Sequence, residues 1–118
     1  MGLVIPLEGA ELLSPNTRRR MHWAAQARIT KEQRELACYS SRTAQPIELR
    51  HRDVHLTLVR GKGQRLVDLD ALGSICKPFL DGIVDAGWLH NDSPKWCTPH
   101  YDQIRGERAE LRVRVEQA

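Results

Sequence analysis

The feature that most constrains this chain of 118 residues is one apolar stripe near its middle. Leu72, Ile75, Cys76, Phe79, Leu80, Ile83 and Val84 recur at the spacing of a single helical face, and Gly87 stands where a left-handed residue would end the helix. The spacing predicts a core helix over residues 72–86. Pro78 falls inside it, so a kink is expected, or two segments meeting near Lys77. A stripe this broad has to be covered, and a chain of this length cannot build two independent cores. Residues 1–118 are therefore expected to form one domain.

The cover is expected from strands. Val54, Leu56 and Leu58 alternate with His55 and Thr57, and Leu111, Val113 and Val115 alternate with Glu110, Arg112, Arg114 and Glu116. That is the period of strands with one buried face. Residues 3–7 form a short apolar stretch broken by Pro6, which suits an edge strand because proline cannot donate to a central ladder. Thr30 with Gln33 makes a capping box, predicting a second helix from Lys31 to about Ser41 with Leu36 and Ala37 facing inward. Residues 23–28 fit an extra helical turn or a strand, and residues 93–103, with Pro94, Trp96, Pro99 and Tyr101, fit a weak strand or an ordered loop. The order strand, helix, strand, helix, strand describes a small α/β domain with a mixed sheet and two main helices.

The composition, 41% hydrophobic and 28% charged, is that of an ordinary globular chain. No apolar run approaches the ~20 residues that cross a bilayer, and Met1-Gly2-Leu3-Val4-Ile5-Pro6 lacks the pattern of a secretory leader. A cytoplasmic protein without membrane contact is expected. Cys38, Cys76 and Cys97 are an odd set with no CxxC pair, which suits reduced, buried thiols. Cys97 and His100 do form a C-x-x-H pair, and a zinc site there would have to recruit Cys76 or His90.

Eighteen Lys and Arg against fifteen Asp and Glu leave a net charge of +3, so its distribution matters more than its size. Arg18, Arg19 and Arg20 are contiguous, and Arg28, Lys31, Arg34, Arg50, Arg52, Arg60, Lys62 and Arg65 follow before the first clustered acids. Ser14-Pro15-Asn16-Thr17 is turn chemistry, which puts the arginine triplet in a loop or at a loop's exit. Gly61-Lys62-Gly63-Gln64 reads as a flexible basic loop that delivers the chain to Asp68.

Asp68-Leu69-Asp70 places two carboxylates two residues apart, on one face if the segment is extended. Mg²⁺ takes such oxygens and keeps several waters, so two or three acids on a rim are enough. A second acid, Asp92, follows Asn91 beyond the core helix. Such a helix travels about 20 Å, so Asp92 meets Asp70 only if the chain folds back along it.

These residues resemble the RusA family of Holliday junction resolvases. The family's D-x-D-N-L, lysine, D-A/G-L, A-G and D-D pattern stands here as Asp68-Leu69-Asp70-Ala71-Leu72, Lys77, Asp81-Gly82-Ile83, Ala86-Gly87 and Asn91-Asp92. Ser14-Pro15-Asn16, followed by Arg20 and His22-Trp23, resembles its N-terminal P-P-S-x-N loop and basic continuation. The resemblance implies a homodimeric α/β endonuclease of DNA recombination and repair. Such an enzyme binds four-way junctions and nicks opposed strands with Mg²⁺ or Mn²⁺, without a small-molecule cofactor. It also implies Asp68, Asp70 and Asp92 as metal ligands and Lys77 as the basic residue that stabilises phosphate charge. With the basic segments on either side, a DNA face is expected from Asn16, Arg18, Arg19, Arg20, His22, Lys62 and Arg65. Lys95 is the nearest alternative base, and His22 and His90 could touch phosphate or help activate water.

The sequence departs from the pattern in three places. Ala71 stands where the family has Asn, Asn91 replaces the first acid of the pair, and the step from Asp70 to Lys77 is longer than in the shortest members. The first two support a rival reading, a DNA-structure-binding protein of the same fold with weak or lost cutting.

Overall fold

The computed structural model describes residues 2–9, 11–41 and 51–117, and Arg50 lies outside them. Along the chain come β1 (Gly2–Pro6), α1 (Pro15–Arg20), α2 (Trp23–Ser40), β2 (Arg52–Arg60), α3 (Leu72–Asp85), β3 (Cys97–Arg105) and β4 (Glu110–Gln117), with a single 3₁₀ turn, Leu69–Ala71, leading into α3. The strands form one sheet in the order β1-β4-β2-β3. β1 and β4 run antiparallel, as do β4 and β2, whereas β2 and β3 are parallel and joined through α3. The mixed sheet of the α/β expectation is present.

The predicted alternation in β2 and β4 holds residue by residue. Val54, Leu56 and Leu58 are fully buried with Leu111, Val113 and Val115. They meet the α3 stripe of Leu72, Ile75, Cys76, Phe79, Leu80 and Ile83. β1 is the expected edge strand, with Ile5 buried and Pro6 at its last position. The opposite face of the sheet carries Asp53, His55 and Thr57 of β2, His100 and Asp102 of β3, and Arg112 and Arg114 of β4.

α3 runs unbroken through Pro78, so the expected division near Lys77 is not found. It ends as Gly87 predicts. Gly87, at φ 89°, donates to Val84 O, and Trp88 donates to Ile83 O, the paired bonds of a Schellman motif. Trp88 is then buried, its indole donating to Ser41 O at 3.0 Å.

Three expectations are corrected. The second helix begins at Trp23, not Lys31, with His22 as its cap, Nδ1 accepting from Ala24 N at 3.2 Å. Gln33 caps nothing: it is buried in mid-helix and donates to Glu11 O. The Ser14-Pro15-Asn16-Thr17 turn is the start of α1, where Ser14 Oγ accepts from Thr17 N at 3.2 Å and Pro15 takes the first helical position. The arginine triplet thus sits in the last turn of a short helix rather than in a loop. Residues 93–103, left open by sequence, contribute β3.

α2 and α3 come close together at Gly82, where a Cβ would lie 2.6 Å from Ala37 Cβ and 2.9 Å from Cys38 N. No helix among the described residues is long and apolar enough to cross a membrane.

Candidate functional site

Asp68 and Asp70 do not lie on an extended strand. Asp68 is extended but caps the 3₁₀ turn, and Asp70 is inside that turn. The period-two alternation of a strand therefore does not set where their side chains go. Both still line one open cleft of about 720 Å³, whose other walls are Ser14, Pro15, Asn16, Leu66, Val67, Leu69 and Ala71. Two sequence motifs some fifty residues apart thereby meet in one concavity. Among the described residues neither carboxylate has a cation or hydrogen-bond donor as partner.

The cleft floor is held by a residue that the sequence did not single out. Gln103 of β3 accepts from Val67 N at 3.0 Å and donates to Val67 O at 2.6 Å. One side chain thus pairs the backbone of the residue preceding Asp68 as a neighbouring strand would. The basic loop before it is strapped in the same way, Arg60 Nε donating to Arg65 O at 2.7 Å and Arg105 to Gln64 O at 3.3 Å. Burial lowers the pKa of Arg60. Lys62 and Arg65 remain exposed on this loop, which runs directly into the cleft wall at Leu66.

The chain does fold back beyond α3. Trp88 and the Asx turn that Asn91 Oδ1 makes with Ser93 N (2.8 Å) return Asp92 to α3. There Lys77 Nζ donates to Asp81 Oδ1 at 2.6 Å and to Asp92 Oδ2. Burial works against the charge on Lys77, but the hydrogen bonds and charges of Asp81 and Asp92 outweigh it, and the net shift is upward. The same bond from Lys77 holds the Asp92 carboxyl below its usual range. Asn91, which removes a charge relative to the family pattern, serves here to turn the chain.

Asp92 is thus engaged by Lys77 and not by a common centre with Asp68 and Asp70. Among the described residues no three His, Cys, Asp or Glu side chains stand together as a ready metal cage. Two acids, Asp68 and Asp70, line the cleft, and a hydrated cation such as Mg²⁺ asks for no more than one or two carboxylates. Tyr101 of β3 packs against the start of α3. Its ring would be 3.6 Å from a Cβ on Gly73, just past the 3₁₀ turn. Its phenol is pushed up by burial and by nearby negative charge, Asp92 included, with Lys77 opposing.

The remaining candidates are dispersed. Arg18, Arg19 and Arg20 follow two to four residues after the cleft residue Asn16, within about one turn along α1. His22 caps α2, and His90 packs edge-on against Trp96 at 4.4 Å, with Lys95 over the same ring. Cys97 and His100 cannot share a zinc ion. Three residues apart on β3 they point to opposite faces: Cys97 is buried in the core, while His100 stacks on His55 at 4.6 Å. Cys76 and Cys97 are thiols pushed up to about 12 and about 11 by burial. Cys38 is half-buried and also free.

Comparison of the chain with known protein families, with curated proteins and with solved structures finds no match.

Proposed function

We propose that this chain is a divalent-metal-dependent endonuclease of branched DNA, working as a homodimer on four-way junctions. One observation carries the reading: Asn16 and the carboxylates of Asp68 and Asp70, without partners among the described residues, open into the same cleft. Basic groups lead away from it on both sides, Arg18, Arg19 and Arg20 along α1, and Lys62 and Arg65 on the loop after β2. A cleft that is acidic at its floor and basic at its approaches suits a phosphate brought to a metal ion.

An ion held by Asp68 and Asp70 would supply a bound water of lowered pKa and positive charge against the phosphate oxygens. The protein's own groups do the rest. Two of the three ammonium protons of Lys77 go to Asp81 and Asp92, which leaves the third for a phosphate oxygen. The arginines and Lys62 hold the DNA backbone without reading sequence. Two copies related by a two-fold axis would present two clefts to opposed strands, matching the symmetry of the junction.

A second reading, binding without cutting, is favoured by the engagement of Asp92 with Lys77 and by the absence of a three-acid centre among the described residues. One experiment separates them. A labelled four-way junction incubated with Mg²⁺ should receive paired nicks and should stay intact in EDTA. Asp70→Asn should abolish nicking while binding is kept or strengthened, because removing a carboxylate deletes a ligand but also a charge that repels phosphate. Nicking by Asp70→Asn at the wild-type rate would remove this cleft from the chemistry. Binding without any nicking in Mg²⁺ or Mn²⁺ would establish the second reading.

A further inference from the structure

Trp23 opens α2 with 74% of its surface exposed. Its indole leans on the ring of His22, the centroids 5.6 Å apart and the planes tilted by 31°. No packing requirement accounts for a large apolar ring left in water at that position. Beside it runs an open groove of about 520 Å³ lined by Arg18, Trp23, Gln26, Ala27, Thr30, Lys31 and Arg34. Every charged residue on that lining is a cation.

The groove is firmly built. Gln26 Nε2 donates to Arg18 O at 2.6 Å and to Met21 O at 3.0 Å, and Arg18 Nη1 donates to Thr30 Oγ1 at 3.3 Å. These bonds lock α1 against the first turns of α2. At the far end Arg34 is tied to Asp85 by two hydrogen bonds of 2.5 and 2.8 Å, and its pKa is raised by them. Lys31 has only a distant partner, Glu35 at 3.9 Å on the exposed helix surface. Arg18 and Lys31 therefore remain the charges most available to an incoming group. Apart from Asp85 and Glu35, which face Arg34 and Lys31, the neighbouring acids Glu8, Glu11 and Glu32 line a separate hollow.

We infer that this groove is a stacking platform for an unpaired nucleobase, with Trp23 against the base and Arg18 and Lys31 on the adjoining phosphates. Charge decides the occupant. An apolar protein segment would leave these cations unanswered, whereas a single DNA strand offers a π-face and an anion within the same repeat. Trp23 and Lys31 are eight residues apart on one helix, about 12 Å along its axis, so the ring and the cations contact consecutive parts of one strand. The inference rests on the DNA reading above but uses none of the cleft residues, and it adds that unpaired rather than duplex DNA is engaged here.

The test compares labelled oligo(dT) with a blunt duplex of equal length, using the whole protein. Trp23→Ala should weaken oligo(dT) binding about tenfold or more and leave duplex binding within about twofold. Trp23→Phe, which keeps a π-face, should recover most of the loss. Oligo(dT) should also quench tryptophan emission clearly more in the wild type than in Trp23→Phe, since Trp88 is buried and Trp96, packed against His90 and Lys95, does not line the groove. Equal oligo(dT) affinity in wild type and Trp23→Ala would overturn the inference while leaving junction cutting untouched. A change of sedimentation in Trp23→Ala with unaltered DNA binding would give the surface to a second copy and equally overturn it. Wild-type binding to oligo(dT) without binding to a junction would keep the platform and remove the proposed function.

Discussion

Gln103 shows how much one uncharged side chain can decide. Val67 is half-buried, and its N–H and C=O are both satisfied by the Gln103 amide. Gln103→Leu keeps the bulk and removes both bonds. We expect it to lower unfolding stability by about 1–3 kcal/mol, the usual cost of leaving such groups without partners, seen as a lower urea midpoint. It should also speed hydrogen exchange at the Val67 amide, and an unchanged exchange rate there would refute the clamp. Asp68 and Asp70 were legible in the sequence as a closely spaced acid pair, Lys77 and Asp92 only through the resemblance to a family pattern. Their partners were not. Nothing local says that Lys77 spends two protons on Asp81 and Asp92, or that Gln103 reaches back thirty-six residues to Val67.

Among the elements, the helices differ in how plainly they were written. α3 has a full apolar stripe, and its end was visible in Gly87 because only a residue at ease with positive φ closes a Schellman motif without strain. α2 rests on the core through Ile29, Gln33 and Ala37, spaced four apart and including a polar and a small residue. So thin a stripe leaves too little periodicity to mark its first two turns, and a histidine cap gives no ordinary start signal. β3 was hidden by Pro99, which an edge strand tolerates. The contact between α2 and α3 makes a prediction of its own. At Gly82 any side chain must push the helices apart, because the atoms it would meet are Ala37 Cβ and the backbone of α2. Gly82→Ala should therefore destabilise the protein by about 1–3 kcal/mol, as overpacking does, even though alanine is the better helix former. Calorimetry showing an unchanged or higher Tm would contradict this packing.

In the whole molecule the sheet joins parts of the chain that synthesis separates. Residues 52–105 hold β2, α3 and β3 as one continuous unit, and β4 adds to it at once. Among the described residues β1 pairs with β4 alone, so Gly2–Pro6 must find residues 110–114, more than a hundred positions along the chain. The closure entropy of so long a loop makes this pairing a late event. Replacing Ile83 by Val should accordingly slow folding, whereas Ile5→Val should leave folding unchanged and speed unfolding, as chevron plots would resolve. A φ value for Ile5 as high as that for Ile83 would reverse the order. On the ribosome the same topology sets a delay. At about 5–20 residues per second, the apolar strand made first waits roughly 5–20 s for its partner, and through that interval its fate depends on whatever else in the cell binds an unpaired strand.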